Sequence, residues 1–279
     1  MSCIIRSGAT SVVVDPDNGS RIVSLVGAGR EWLLPSAPSP DHRFHAEFLH
    51  EGTGGWDEVA PTIQPHTRDD GYQIPDHGEL WNTAWSVVEQ TPSALTTQLT
   101  MRSIPVTITR RIAATDDGGL LFSYAAVTTQ IAPFPFFWSA HPLFRAESGS
   151  AITLSGRADS TVLQEYPEER VVPWPRNGAM SSLPVGTAIK AFVQQPYTHS
   201  CATLTHPDGS QLTFNWDWRA LPYLGLFWDN SHFSSVPAIA IEPTTAQGDN
   251  PLVAASRNPI RRISADAPLA WWLAVNINV

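Results

Sequence analysis

Short stretches of alternating hydrophobic and polar residues, each closed by a turn signal, run through the whole chain. Ala9 to Val14 alternates and ends at Asp15-Pro-Asp-Asn-Gly19, which favours a tight reversal, and Arg21 to Val26 returns as its partner strand. A turn at Gly27-Ala-Gly29 leads to a third short strand, Glu31 to Leu34. Residues 35–78 break every periodic pattern with six prolines and predict an ordered loop region, the kind of segment that often carries function. Alternation resumes at Ser86 to Glu89, Leu95 to Arg102, Val106 to Ala113 and Leu120 to Thr129. The run Phe134-Pro-Phe-Phe-Trp-Ser-Ala-His-Pro-Leu-Phe144 predicts a buried strand that ends or bends at Pro142, because proline donates no backbone hydrogen bond. Further strands are predicted at Tyr223 to Trp228, Ala238 to Glu242 and Ala270 to Asn276, and only Pro251 to Asn258 offers a helical pattern. Short strands punctuated by turns predict an all-β sandwich or barrel. No break in composition marks a linker, so one domain is expected over residues 1–279.

Composition narrows the function classes. The 24 prolines and 18 glycines are spread along the whole length and oppose long helices. A formal charge of −9, from 17 basic and 26 acidic residues, argues against nucleic acid or an anionic membrane surface as a partner. Two cysteines imply neither a disulfide framework nor a cysteine-based zinc site, so a cytoplasmic location is expected. The first residues carry no apolar signal-peptide core, and nowhere do 18 apolar residues run uninterrupted. Oligomeric state is left open between monomer and homodimer.

Four positions stand out chemically. His141 lies within an apolar strand and needs a partner there, since a buried polar group without a hydrogen bond costs about 1–3 kcal/mol. Glu242 ends the apolar run Ala238-Ile-Ala-Ile before Pro243, where a carboxylate is either paired structurally or tuned for base work. His77 precedes Gly78 on a loop, either capping loop amides or facing a ligand. Asp229 follows Leu224-Gly-Leu-Phe-Trp and is either a turn former or a ligand carboxylate. A base, an acid and a further histidine suffice to open and reclose a cyclic hemiacetal. That chemistry needs no cofactor, and no glycine-rich phosphate loop is present. His42, His45, Glu47 and His50 offer a less favoured metal-ligand pattern, and a glycosidase pair of Asp57 or Glu58 with Glu242 is weaker still.

Taken together, Arg21-Ile-Val-Ser-Leu-Val-Gly-Ala-Gly-Arg-Glu31, His77-Gly with Trp85, His141-Pro-Leu-Phe144 and Ile241-Glu-Pro243 resemble the aldose 1-epimerase (galactose mutarotase-like) superfamily, including its hexose-phosphate mutarotase branch. The resemblance implies a large antiparallel β-supersandwich with a sugar bound in a concave cleft. It implies His141 as general acid on the ring oxygen, Glu242 as general base on the anomeric hydroxyl, and His77 as a sugar-binding residue. Asp229 falls near a family aspartate that holds sugar hydroxyls. Where the family commonly carries an arginine, Gly54-Gly-Trp-Asp-Glu58 offers acids, and Arg68 is a substitute candidate. Trp56, Trp138 and Trp228 are the candidate stacking platforms for a sugar ring. The expected activity is mutarotation of an aldose, and the alternative is a carbohydrate-binding or sugar-sensing protein without catalysis.

Overall fold

A computed structural model describes residues 2–36, 48–49, 53–156, 161–173, 180–193, 199–251, 255–256 and 258–279. These residues form an eleven-stranded and an eight-stranded antiparallel sheet, with two two-stranded ribbons beside them. The eleven-stranded sheet starts with Cys3–Ser7, Thr10–Asp15 and Arg21–Gly27. It continues through Trp56–Val59, Ser139–Arg145, Ala238–Thr244, Tyr223–Asn230, Thr187–Val193, Thr161–Tyr166 and Arg170–Pro173. Val106–Ala114, Leu120–Thr128, Gln211–Trp216 and Leu269–Asn278 belong to the smaller sheet.

One apolar core joins the two sheets. Trp56 stacks on Phe122 with ring centroids 4.6 Å apart, and Trp138 packs against Tyr124 and Trp271 at 5.0 and 4.8 Å. A buried polar contact crosses the same interface. Glu58 accepts hydrogen bonds from Arg110 Nη1 and the Tyr124 hydroxyl, both at 2.9 Å. Burial lifts the Glu58 carboxyl to about 7, although Arg110 and Tyr124 pull the other way. Because strand side chains alternate, Trp56 and Glu58 face this core while Asp57 faces the opposite side of the large sheet. On that outer side Leu34, Leu143, Ala238 and Ala240 form a smaller apolar cluster with Phe227.

The predicted N-terminal hairpin forms, with Thr10–Asp15 paired to Arg21–Gly27. Two expectations need correction. The proline-broken region contains Trp56–Val59, a strand in the middle of the large sheet. Its consecutive acids, Asp57 and Glu58, hide it, since each needs a partner on its own face of the sheet. Nor does the His141 strand end at Pro142, for it runs from Ser139 to Arg145. Pairing with Ala238–Thr244 lapses between Ser139↔Thr244 and Leu143↔Ala240, and Pro142 and Pro243 both lie in that gap. The prolines are accommodated by locally giving up the hydrogen-bond ladder, not by ending the strand.

Candidate active site

A cleft opens on the outer face of the large sheet, over two neighbouring rows of side chains. Asp57 is opposite His141 in the register of their strands. The pairs Ser139↔Thr244 and Leu143↔Ala240 keep one register across the proline gap, which sets His141 opposite Glu242. Glu242 pairs with Gly225, and Gly225 with Phe192. The first row is therefore Asp57, His141, Glu242, Gly225 and Phe192. The second, two residues along the four strands from His141 to Phe192, is Leu143, Ala240, Phe227 and Lys190, and it continues to Tyr166 on the next strand. His141, Glu242, Lys190, Phe227 and Tyr166 line a cleft of about 260 Å³, closed by loops that carry Phe48, His77, Phe233 and Asp249. That volume sits just below the roughly 300–1,000 Å³ of drug-sized ligand clefts and suits a small ligand.

His141 is 6% exposed, and its Nδ1 lies 2.9 Å from Asp57 Oδ1. Burial alone would depress the imidazole, but Asp57, helped by Glu242, outweighs it and holds its pKa above the ordinary value. Burial works against the Asp57 carboxylate too, yet His141 and Arg21 keep its pKa below the usual range. An ionised Asp57 can only accept, so the Nδ1 proton is committed to it and Nε2 is left for a ligand.

Glu242 is 1% exposed, and Oε2 accepts a hydrogen bond from Lys190 Nζ. Lys190 is the only lysine in the chain. Its ammonium also lies 3.7 Å from Asp249 Oδ1. Burial disfavours that charge, but Asp249 and Glu242 more than offset it, so the lysine pKa is raised. The second carboxylate oxygen, Glu242 Oε1, is buried without a hydrogen bond among the described residues. Gly225 makes this packing possible, because a Cβ there would stand 3.2 Å from Glu242 Oε2 and 3.1 Å from the Phe192 ring.

His77 reaches the cleft from a loop pinned to the end of the Asp57 strand. Its backbone N–H donates to Ile63 O at 2.6 Å, and Gly78 bridges to Ala60. Gly78 has φ of +67°, and a Cβ there would lie 1.9 Å from the Ala60 carbonyl oxygen, so only glycine fits. The His77 ring stacks on Phe48 at 3.5 Å and lies 5.0 Å from the His141 ring. Burial lowers its pKa despite Asp76 beside Nδ1, which suits a neutral hydrogen-bonding imidazole.

The pattern of the aldose 1-epimerase family matches residues 3–220. The chain belongs to that family. Solved structures carry the same fold. A galactose mutarotase-like protein from Lactobacillus casei is 17% identical with a TM-score of 0.74, covering 100% of both chains. A galactose mutarotase related enzyme from Lactobacillus acidophilus is 13% identical with a TM-score of 0.74, over 100% of this chain and 98% of the other. An aldose epimerase homologue from C. elegans is 11% identical with a TM-score of 0.68, over 100% and 99%. No curated protein matches the sequence.

Within this aldose 1-epimerase scaffold, His141, Glu242 and His77 line the same cleft, and Asp229 lies in its wall. Asp229 is nonetheless spent on its own turn. Its two oxygens accept from the backbone N–H groups of His232, Phe233 and Ser234 and from the Ser234 hydroxyl. It shapes the loop that carries Phe233 and has little left for a sugar hydroxyl. The three tryptophans are a correction. Trp56, Trp138 and Trp228 are at most 2% exposed and belong to the inter-sheet core. Alternation turns Trp56 and Trp228 away from the cleft, and Trp138, just before the His141 strand, packs on Tyr124 and Trp271. Aromatic surface in the cleft comes from Phe48, Tyr166, Phe227 and Phe233. Arg68 bonds Asp70 and the Ser103 carbonyl and does not line the cleft. Of the possible metal ligands, His42, His45, Glu47 and His50 lie outside the described residues. Sequence reasoning missed Lys190 and Asp249 altogether and did not pair Asp57 with His141. A lone lysine in a 279-residue chain is a signal that could have found the first. No helix among the described residues is long and apolar enough to cross a membrane.

Proposed function

We propose that residues 1–279 act as one unit that interconverts the α and β anomers of an aldose by acid–base ring opening. The supporting observation is that His141 and Glu242 fall opposite each other in one row of the sheet and line one cleft. In a cyclic hemiacetal the anomeric hydroxyl and the ring oxygen share a single carbon, so acid and base must act close together. Side chains that share one row on neighbouring strands and line one cleft are placed to meet that demand.

Glu242 removes the proton of the anomeric hydroxyl. The electron pair of that O–H bond forms the aldehyde C=O as the bond from C1 to the ring oxygen breaks. His141 Nε2–H donates its proton to the ring oxygen. Rotation about C1–C2 presents the other aldehyde face, and ring closure reverses both proton transfers. Asp57 keeps His141 protonated and oriented, while neutral His77 holds a sugar hydroxyl. Nothing is oxidised or reduced, and a base and an acid account for the whole sequence.

The test is anomer exchange by NMR on a panel of free aldoses. Wild type accelerates exchange of at least one sugar, and Glu242→Gln loses that acceleration by roughly 10²–10⁴-fold while still binding the sugar. Full exchange by Glu242→Gln would refute the assignment. Saturable binding by the wild type with no exchange of any sugar would make the protein a binder.

A further inference from the structure

We infer that Lys190 is a positioning residue for this reaction: it holds one oxygen of Glu242 and so presents the other to the anomeric hydroxyl. The inference rests on the mutarotase reading. Lys190 stands in the second row of the cleft, one strand beyond Gly225, and its ammonium reaches Glu242 Oε2, which packs beside the bare Cα of Gly225. The contact commits Glu242 Oε2, whereas Oε1 has no hydrogen-bond partner among the described residues. A general base must place one oxygen within about 2.6–3.2 Å of the proton it takes. A glutamate free to rotate about its last bond would offer either oxygen in many directions.

Lys190 is itself held in place. Its side chain is 9% exposed, its ammonium sits 5.3 Å from the centre of the Phe192 ring, and Asp249 flanks it at 3.7 Å. The backbone carbonyl of Asp249 in turn accepts the Ile63 and Gln64 backbone N–H groups at 3.1 and 3.0 Å, and Ile63 O accepts the His77 N–H. One ammonium thus links the carboxylate at 242 to the segment that presents His77. A lysine whose only task was to neutralise buried acids would have no reason to leave Oε1 unbonded beside a ligand cleft.

Lys190→Ala is expected to lower kcat for anomer exchange by about 100-fold, the loss that follows a misplacement of roughly 1 Å. KM should change much less. Ethylammonium, added to the variant, should restore part of the rate by entering the vacated space from the cleft. Unchanged kcat, or a loss that no small amine repairs, would overturn the inference. A second measurement needs no lysine variant. Protein grown on ¹⁵N-lysine should show a single side-chain ammonium resonance, since the chain has one lysine. That resonance should move in Glu242→Gln and on sugar binding, and a resonance indifferent to both counts against the assignment. The two failures can be told apart. If Glu242→Gln stays active, the mutarotase reading falls; if it is inactive while Lys190→Ala is fully active, only the role of the lysine falls.

Discussion

His141 Nδ1 lies 2.9 Å from Asp57 Oδ1, and the two residues are direct register partners on neighbouring strands. Strand register therefore sets the carboxylate beside the imidazole, and the hydrogen bond orients the ring. The carboxylate raises the His141 pKa against the pull of burial, so the ring remains a proton donor above its ordinary titration range. Asp57→Asn removes that support. The basic limb of kcat/KM should move to lower pH, and kcat should fall on the order of 10²-fold, the lower end of what an acid catalyst supplies. Stability should respond with a defined sign. A raised histidine pKa stabilises the fold below the unfolded value, and that stability is lost as pH rises through the folded value. Thermal unfolding of the wild type should thus weaken across that window, and the dependence should flatten in Asp57→Asn. A pH–rate profile that does not move in the variant would show that Asp57 leaves the acid alone.

Gly225 supplies a separate test of the base. Its strand conformation accepts alanine, but the new Cβ would press on Glu242 Oε2 at 3.2 Å and on the Phe192 ring at 3.1 Å. Both neighbours must give by a few tenths of an ångström. Gly225→Ala should lower kcat by roughly 10-fold or more, given the sensitivity of proton transfer to such displacements. The melting temperature should move little. Steady-state kinetics beside a thermal melt will separate the two, and unchanged kcat would show that the carboxylate tolerates displacement.

The inter-sheet contact of Glu58 with Arg110 and Tyr124 lies away from the cleft, and its loss should be read in stability. Above a pH of about 7, where Glu58 is ionised, Glu58→Gln leaves the Arg110 guanidinium buried without its counter-charge, and breaking a buried pair costs about 3–5 kcal/mol. Below it, where the carboxyl is protonated, the near-isosteric amide should cost much less. The pH dependence should change as well. With the folded pKa lifted to about 7 from an ordinary 4.5, the native state binds the extra proton between those values. Wild-type stability therefore falls as pH rises through that window, and Glu58→Gln should abolish this contribution. Denaturant melts from pH 4 to 8 report both effects.

Much of this architecture was legible in the chain. Alternating runs and turn signals gave the hairpins, and apolar strands interrupted by one polar residue marked His141 and Glu242. Partnerships across strands were not legible. Asp57 and Lys190 lie 84 and 52 residues from their partners, His141 and Glu242, and only the register of the folded sheet brings them together. The misplaced tryptophans are a different kind of miss, because the alternation that excludes them was in view. Trp228 is adjacent to Asp229 and Trp56 to Asp57, each pair within one strand, while Trp138 lies just before the strand of His141. In a regular strand, residues an odd number apart face opposite sides. Large aromatic size suggested sugar stacking, and parity overrules it.

Parity also says where stacking should be sought. Phe233 is 41% exposed, lines the cleft and packs against Tyr166 and Phe227 with ring centroids 5.6 and 6.1 Å away. It projects from the turn that Asp229 organises, so its place in the cleft follows from backbone hydrogen bonds, not from core packing. Phe233→Ala should weaken sugar binding by about 2- to 10-fold, the equivalent of one aromatic contact. Trp228→Phe, on the same strand but facing inward, should leave sugar affinity unchanged while costing about 1–3 kcal/mol of stability through the space it empties in the core. An NMR titration of both variants beside their denaturant melts decides the matter. If Trp228→Phe loses sugar affinity and Phe233→Ala does not, the face of this sheet that meets the ligand has been assigned the wrong way round.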